Sequence, residues 1–179
     1  MTMCSTRVLR LLYGTLIVGV TVVDQGTKAW VKHFLNGAEP FDIIPGFFRL
    51  VLVHNRGALF GFFQGITPPL RTVLFLLLPA AVIVVLVWLS WRTAAIDHRG
   101  QWAFALILGG AFGNLIDRIR FEHVVDFLDV YLRLDAEHHW PAFNVADSCI
   151  CIGIALLVLD TWKTRHTIPA SEEHVPNSV

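Results

Sequence analysis

The stretch T-V-L-F-L-L-L-P-A-A-V-I-V-V-L-V-W-L-S-W, from Thr72 to Trp91, contains no charged side chain. An α-helix needs about 20 mostly apolar residues to cross the hydrocarbon core of a bilayer, and this run alone reaches that length. It predicts a transmembrane helix, and it makes the other apolar runs of the chain candidates for further spans.

Three shorter apolar runs reach spanning length once their polar flanks are included. The sequence therefore predicts four transmembrane helices in a single membrane-embedded domain, residues 1–163, followed by a polar, disordered tail, 164–179. The helices are expected at about 11–31, 70–91, 101–119 and 144–163, with the longer connecting segments at 32–69 and 120–143. A cleavable signal peptide is the alternative for the first run, but no small-x-small cleavage site follows Val23, which favours an uncleaved helix.

The composition supports a membrane protein and excludes several functional classes. The chain is 55% hydrophobic and 16% charged, whereas about a quarter of the residues of a soluble domain are charged. Lys plus Arg and Asp plus Glu are 14 each, so no charge excess points to nucleic acid. The three cysteines and the loop histidines lack the spacing of a disulfide pair or a metal site, and we predict no cofactor.

Alternating helix direction brings three polar clusters to one face of the membrane. These clusters lie at the end of the first helix, the end of the third and the start of the fourth: Asp24, Gln25 and Lys28; Asn114, Asp117 and Arg118; Asn144, Asp147 and Ser148. Ionisable groups within membrane segments are usually functional, so one polar pocket roofed by two loops is expected. The short Arg92–Gly100 loop with its tryptophan flanks indicates that both termini are cytoplasmic.

Each cluster also has a purely structural interpretation. Asp24 and Lys28 at i, i+4 fit an intrahelical ion pair. Gly109, Gly110 and Gly113 fit close helix packing as well as a site. Asn144 and Asp147 both fit helix capping, although capping alone does not explain two polar residues on one face.

A second acid that could join Asp147 lies in E-H-V-V-D-F-L-D-V, on a segment expected to return to the membrane as a loop. Asp126 and Asp129 are equal candidates from the sequence pattern. Two carboxylates that meet at low dielectric share one proton, and such a pair can activate water against a peptide bond.

The segment before the second helix predicts a small sheet and an interfacial helix above the pocket. P-G-F-F-R-L-V-L-V-H-N, from Pro45 to Asn55, alternates as a strand with Phe48, Leu50 and Leu52 on one face. The aromatic piece Gly57–Gly65 suits the lipid interface. Asn55 either reaches a substrate or closes a turn.

Five motifs in order and spacing resemble those of bacterial lipoprotein signal peptidase, the signal peptidase II family. They are D-Q-G-T-K (Asp24–Lys28), N-R-G-A-L-F (Asn55–Phe60), G-G-A-F-G-N-L-I-D-R (Gly109–Arg118), V-V-D-F (Val124–Phe127) and F-N-V-A-D-S (Phe143–Ser148). The resemblance covers nearly everything except the two ends of the chain.

The resemblance implies a mainly α integral membrane protein with four transmembrane helices, an extracytoplasmic β-cradle and a short interfacial helix. It implies a monomeric aspartic endopeptidase of the bacterial inner membrane that cuts prolipoproteins before the diacylglyceryl-modified cysteine. Asp126 and Asp147 are then the catalytic pair. The substrate-binding and supporting residues are Asn55, Asn114, Arg118, Asn144, Asp24 and Lys28.

Two other classes also place acids in membrane helices. A proton-coupled carrier would carry polar groups near mid-bilayer in repeated halves, and no internal repeat is visible. A structural subunit would leave acids gathered at one leaflet unexplained. Cleavage of a lipidated precursor by the purified protein separates the three.

Overall fold

Four long helices and a small antiparallel sheet make up the part of the chain that the computed structural model describes, residues 3–57, 67–93, 98–131 and 140–167. The elements in chain order are α1 (Met3–Phe34), β1 (Phe41–Ile44), β2 (Phe48–Asn55), α2 (Pro68–Thr72), a π-helical segment (Val73–Leu77), α3 (Leu78–Thr93), α4 (His98–Phe121), β3 (Val124–Val130) and α5 (Val145–Thr167). Because α2, the π-helical segment and α3 run on without a break, they form one span.

The four helices are long and apolar enough to cross a membrane. Their outward faces carry large apolar side chains that remain well exposed, among them Val22 at 62% and Val84 at 68%. A soluble monomer does not leave contiguous apolar surface of this kind in water. The predicted fold class, a mainly α membrane protein with four spans and a small sheet, is confirmed.

Helix α4 is the centre of the bundle. It packs against α1, α3 and α5, whereas among the described elements α3 touches only α4 and the π-helical segment. The glycines of α4 allow the close approach, since a Cβ built at Gly109 would lie 2.7 Å from Cβ of Val20, and one at Gly110 would overlap the backbone oxygen of Ala146. The packing interpretation of these glycines is therefore correct.

The π-helical segment has a local cause in Pro79. Proline lacks an N–H and clashes with the carbonyl one turn earlier. The preceding turn widens, and the N–H of Leu78 bonds to the carbonyl of Val73, five residues back. One-turn π-bulges relieve strain of this kind inside α-helices.

The sheet has the order β1-β2-β3 with both pairings antiparallel. A turn at Pro45 and Gly46 joins β1 to β2, and Gly46 takes the positive φ of 85° that this turn needs. A register shift in the β2–β3 pairing between Leu50 and Val53 breaks the predicted alternation, so Leu50 and Val51 are both buried.

The structure corrects two expectations from the sequence, and two others fall on residues that it does not describe. The segment around Asp126 is not a loop; it is strand β3, which is buried over most of its length. Helix α5 runs to Thr167, four residues into the segment expected to be a disordered tail. The predicted interfacial helix falls mainly on residues 58–66, and most of the tail on 168–179, both outside the described residues.

Candidate active site

The first turn of α5 holds Asp147 through a reciprocal capping arrangement. Asn144 Oδ1 accepts from the backbone N–H of Asp147 at 2.9 Å, and Asp147 Oδ2 accepts from the backbone N–H of Asn144 at 3.2 Å. This is the hydrogen-bond pattern of a capping box. The capping interpretation of these two residues is thus correct, and it also fixes where the Asp147 carboxylate points.

Asn144 joins Asp147 to the acid on β3. While its backbone binds Asp147, its side-chain Nδ2 donates to Asp126 Oδ1 at 2.7 Å. The same Nδ2 lies 3.2 Å from Asn114 Oδ1, and Asn144 has no exposed surface. One buried residue therefore contacts both carboxylates, Asp126 through its side chain and Asp147 through its backbone N–H.

Side-chain alternation along β3 separates Asp126 from its rival. Successive strand residues point to opposite faces, so Asp126 and Asp129 leave β3 on different sides. Asp126 faces Asn144 and Asn55, whereas Asp129 Oδ2 accepts from Nε of Arg49 at 2.7 Å across the strand pair. Only Asp126 of the two lies in the cluster with Asp147.

Asn55 closes a turn, which is one of its two sequence interpretations, and it also contacts Asp126. Its Oδ1 accepts from the N–H of Gly57 at 2.9 Å and closes the turn after β2. Its Nδ2 donates to Asp126 Oδ2 at 2.9 Å. Both oxygens of Asp126 are thus held by amide donors.

Burial dominates the titration of Asp126. Burial is the largest cause and raises the pKa of this carboxyl, because a buried carboxylate loses its hydration. The charge of Asp147 also raises the pKa of Asp126, while the donors on Asn55 and Asn144 and the charge of Lys28 lower it; together they bring the pKa from 3.8 to about 6. A carboxyl with this pKa can change protonation near neutral pH.

A buried ion network between α1 and α4 contacts the cluster through Asn114. Lys28 Nζ lies 2.8 Å from Asp24 Oδ2 and 2.9 Å from Asp117 Oδ2. It also donates to Asn114 Oδ1 at 3.0 Å, and Asn114 Nδ2 donates to Asp147 Oδ1 at 2.8 Å. Lys28 therefore fixes which end of the Asn114 amide faces Asp147.

Asp24 also ties α1 to the first turn of α5. Its Oδ1 accepts from the backbone N–H of Ala146 at 3.0 Å, which satisfies one of the free donors of that helix end. A Cβ at Gly113 would overlap the carboxylate of Asp24, so glycine makes room for this contact. Asp24 and Lys28 form the predicted intrahelical pair and contact other helices as well.

Arg118 stands apart from these direct contacts. Its guanidinium carbon lies 5.8 Å above the ring of Phe75. Arg118 also lines a cavity of about 450 Å³ between α4 and the start of the span that begins with α2. Arg118 interacts electrostatically with Asp147 and Asp126, but no described side chain forms an ion pair with it.

The sequence did not predict the partners of Asp117 and Gln25 in the buried ion network. Asp117 Oδ1 accepts from Gln25 Nε2 at 2.8 Å and its Oδ2 binds Lys28, so both of these partners come from α1. Asn114 and Asp117 share a helix face, and Gln25 and Lys28 lie at the same end of α1. The common position of these polar residues along the two helices is the sequence feature that indicates their contact. Within the described ranges, no group of three His, Cys, Asp or Glu side chains is placed to hold a metal ion.

Comparisons with known proteins agree on one family. The family described as signal peptidase (SPase) II matches residues 16–163. A protein of Syntrophotalea carbinolica named lipoprotein signal peptidase is 42% identical over 163 residues, 91% of this chain and 96% of the relative. One of Ralstonia nicotianae with the same name is 49% identical over 148 residues, 79% of each chain.

Solved structures give the same result at the level of the fold. A bacterial membrane enzyme determined by the in meso method at 2.3 Å resolution superposes with a TM-score of 0.69 at 27% identity, covering 89% of this chain and 93% of the other. A second bacterial membrane enzyme, at 1.9 Å resolution, gives a TM-score of 0.66 at 28% identity, covering 85% and 93%. The chain belongs to the signal peptidase II family.

Proposed function

We propose that this chain is an aspartic endopeptidase that removes signal peptides from prolipoproteins by cutting before the diacylglyceryl-modified cysteine. The observation that carries the proposal is the bridge made by Asn144, which hydrogen-bonds Asp126 Oδ1 through its side chain and Asp147 Oδ2 through its backbone. Two carboxylates joined in this way can divide the roles of acid and base. Family membership supports prolipoproteins as the substrates.

The two acids take different parts in this scheme. Asp126, whose pKa is raised to about 6 mainly by burial, holds the proton and passes it to the scissile carbonyl oxygen. Asp147, held by Asn114 and the capping box, takes a proton from the attacking water. Collapse of the tetrahedral intermediate then moves a proton to the departing cysteine amine and restores the pair.

The supporting residues keep this geometry. Asn55 and Asn144 orient Asp126, while Lys28 and Asn114 orient Asp147. Arg118 stands at the cavity beside α2, where it can bind carbonyl oxygens of the substrate peptide. All of these residues belong to one chain, which supports action as a monomer.

The placement of the site suits a lipidated substrate. The chain is a multi-pass membrane protein whose polar cluster lies at the end of the bundle that carries the sheet. Acyl chains of a precursor can lie along the exposed apolar helix faces while the peptide bond enters the cluster. We place this end at the periplasmic leaflet of the inner membrane, with both termini cytoplasmic and residues 1–163 as the peptidase domain.

Replacing each acid by its amide tests the proposal. Purified Asp126→Asn and Asp147→Asn are expected to cleave a lipidated precursor at least about 100-fold more slowly, since general acid–base catalysis contributes on this scale. Asp129→Asn is the matched control, because Asp129 lies on the same strand but pairs with Arg49. Its turnover per folded molecule should stay near that of the wild type. Full-rate cleavage by either folded dyad variant would reject the proposal.

A further inference from the structure

A small cavity on the sheet side of the bundle lies beside the catalytic cluster and shares Lys28 and Asp117 with the ion network that supports it. It has a volume of about 270 Å³ and opens between α1, α4 and β3. Its lining consists of Gln25, Lys28, Ala29, Lys32, Asp117, Arg120, Phe121 and Val125. Pockets for drug-sized molecules usually span about 300–1,000 Å³, so this cavity suits a compact group.

Two cations converge on the cavity from different helices. Lys32 Nζ lies 3.8 Å from the ring centroid of Phe121, and the guanidinium carbon of Arg120 lies 5.0 Å from the same centroid. A positive charge in the last turn of a helix interacts favourably with the helix dipole. This interaction explains the position of Lys32 or of Arg120 taken alone. It does not explain why both charges gather at one ring beside one cavity.

The acid in the lining does not neutralise this pair. Asp117 Oδ1 accepts from Gln25, while its Oδ2 binds Lys28 and the N–H of Val125. No described carboxylate forms an ion pair with Lys32 or Arg120. The lining therefore presents two uncompensated positive charges, and an anion is the complementary occupant.

The surroundings place the cavity at headgroup depth. Lys32 and Arg120 lie in the last turns of α1 and α4, at the end of the hydrocarbon-spanning segments. Trp30, 57% exposed, stacks on Phe34 at the same end of α1 as Lys32, and aromatic residues collect at the membrane–water interface. The exposed Val22 lies further along α1 toward mid-membrane.

We infer that this cavity binds the phosphate of an anionic phospholipid, with Lys32 and Arg120 as its ligands and the acyl chains along α1. Basic residues at a membrane surface each contribute about fivefold to binding of anionic lipid. The site goes beyond the proposed peptidase activity. It would hold a membrane lipid, without cleaving it, next to the helix that carries Lys28.

The test measures lipid binding by native mass spectrometry of the full chain in detergent, titrated with phosphatidylglycerol or phosphatidylcholine. The wild type is expected to retain phosphatidylglycerol preferentially, and Lys32→Gln/Arg120→Gln is expected to lose the preference by roughly 25-fold. Lys32→Arg/Arg120→Lys, which keeps both charges, should retain it. Arg10→Gln/Arg92→Gln, which removes two cations at the opposite end of the bundle, is the matched control and should also retain it.

Several results would overturn the inference. These are equal retention of the two lipids by the wild type, an unchanged preference in Lys32→Gln/Arg120→Gln, or an equal loss in the control variant. Displacement of the lipid by millimolar inorganic phosphate would assign the site to a free anion instead. Because no cleavage is measured, these outcomes are independent of the peptidase proposal.

Discussion

At the scale of single residues, the site depends on amides placed between acids. An asparagine side chain donates through its nitrogen and accepts through its oxygen, so Asn114 accepts from Lys28 and donates to Asp147. Asn144 does the same between Asp126 and the first turn of α5. A carboxylate at either position could not donate, and an apolar residue would leave buried oxygens without partners.

The pH dependence of cleavage gives a residue-scale prediction for Asn55. Donation from Asn55 favours the ionised form of Asp126 and opposes the rise of its pKa to about 6. Asn55→Ala removes that donor, so the pKa of Asp126 rises further and the proton is kept to higher pH. The alkaline limb of the kcat/KM profile should then move upward by roughly one pH unit.

The profile is measured with a lipidated precursor, and Val53→Ala on the same strand serves as the control. Its limb should stay at the position of the wild type, since the Val53 side chain has no donor for the Asp126 carboxylate and alanine keeps the backbone pairing of the two residues. If the alkaline limb of the Asn55→Ala profile stayed in place or moved to lower pH, Asp126 would not hold the catalytic proton.

Residue pairs within one helix could be predicted from the sequence, and pairs between helices could not. The i, i+4 spacing gave the Asp24–Lys28 ion pair directly. The second partner of Lys28, Asp117, comes from α4, and helix rotation about its axis is not encoded in spacing along one segment. The choice between Asp126 and Asp129 came from the family resemblance, because the pattern around them favoured neither.

At the scale of elements, β3 shows why a strand can be missed. A strand with one buried face alternates apolar and polar residues, but β3 is buried on both faces over Val124–Phe127. Its two acids interrupt the apolar run without restoring alternation. The spans, by contrast, were predictable because their apolar length alone distinguishes them.

Close packing of α4 on α5 gives a prediction for Gly110. A Cβ there would overlap the backbone oxygen of Ala146, and backbone cannot rotate away as a side chain can. Gly110→Ala should push the first turn of α5 from α4 and reduce cleavage at least about tenfold, since small displacements of catalytic groups have large effects on rate.

Gly19→Ala is the matched control for this substitution. Nothing lies within 4 Å of a Cβ at Gly19, so cleavage should be unchanged, and helix propensity should stabilise α1 by up to about 1 kcal/mol. The paired measurements are the cleavage rate and the thermal unfolding midpoint in detergent. Equal activity of the two alanine variants would contradict a role for this contact in placing Asp147.

At the scale of the whole molecule, the three polar clusters of α1, α4 and α5 lie at one end of an apolar bundle. The ends of α1 and α4, the starts of α2 and α5, and the sheet meet there, so the candidate site residues gather at one end of the bundle. The outward faces of the spans expose large apolar side chains. This asymmetry followed from helix count alone, because antiparallel spans return alternate ends to the same side.

The orientation of the bundle can be measured by cysteine labelling in intact cells. With Cys4, Cys149 and Cys151 replaced by serine, Glu39→Cys at the sheet end should react with a membrane-impermeant maleimide. Arg92→Cys at the opposite end should react only after the cells are permeabilised. Both positions are exposed, so the reverse pattern would place the sheet and the site in the cytoplasm.

The capping box of α5 has a consequence for proteins that evolve from this chain and lose the proposed peptidase activity. Asp126 contributes to no helix cap, whereas Asp147 completes the start of α5 together with Asn144. Relaxed selection would therefore erase the strand acid first, while folding stability kept the helix acid in place. A pseudoenzyme derived from this scaffold would still carry half of its former dyad, retained as a structural relic.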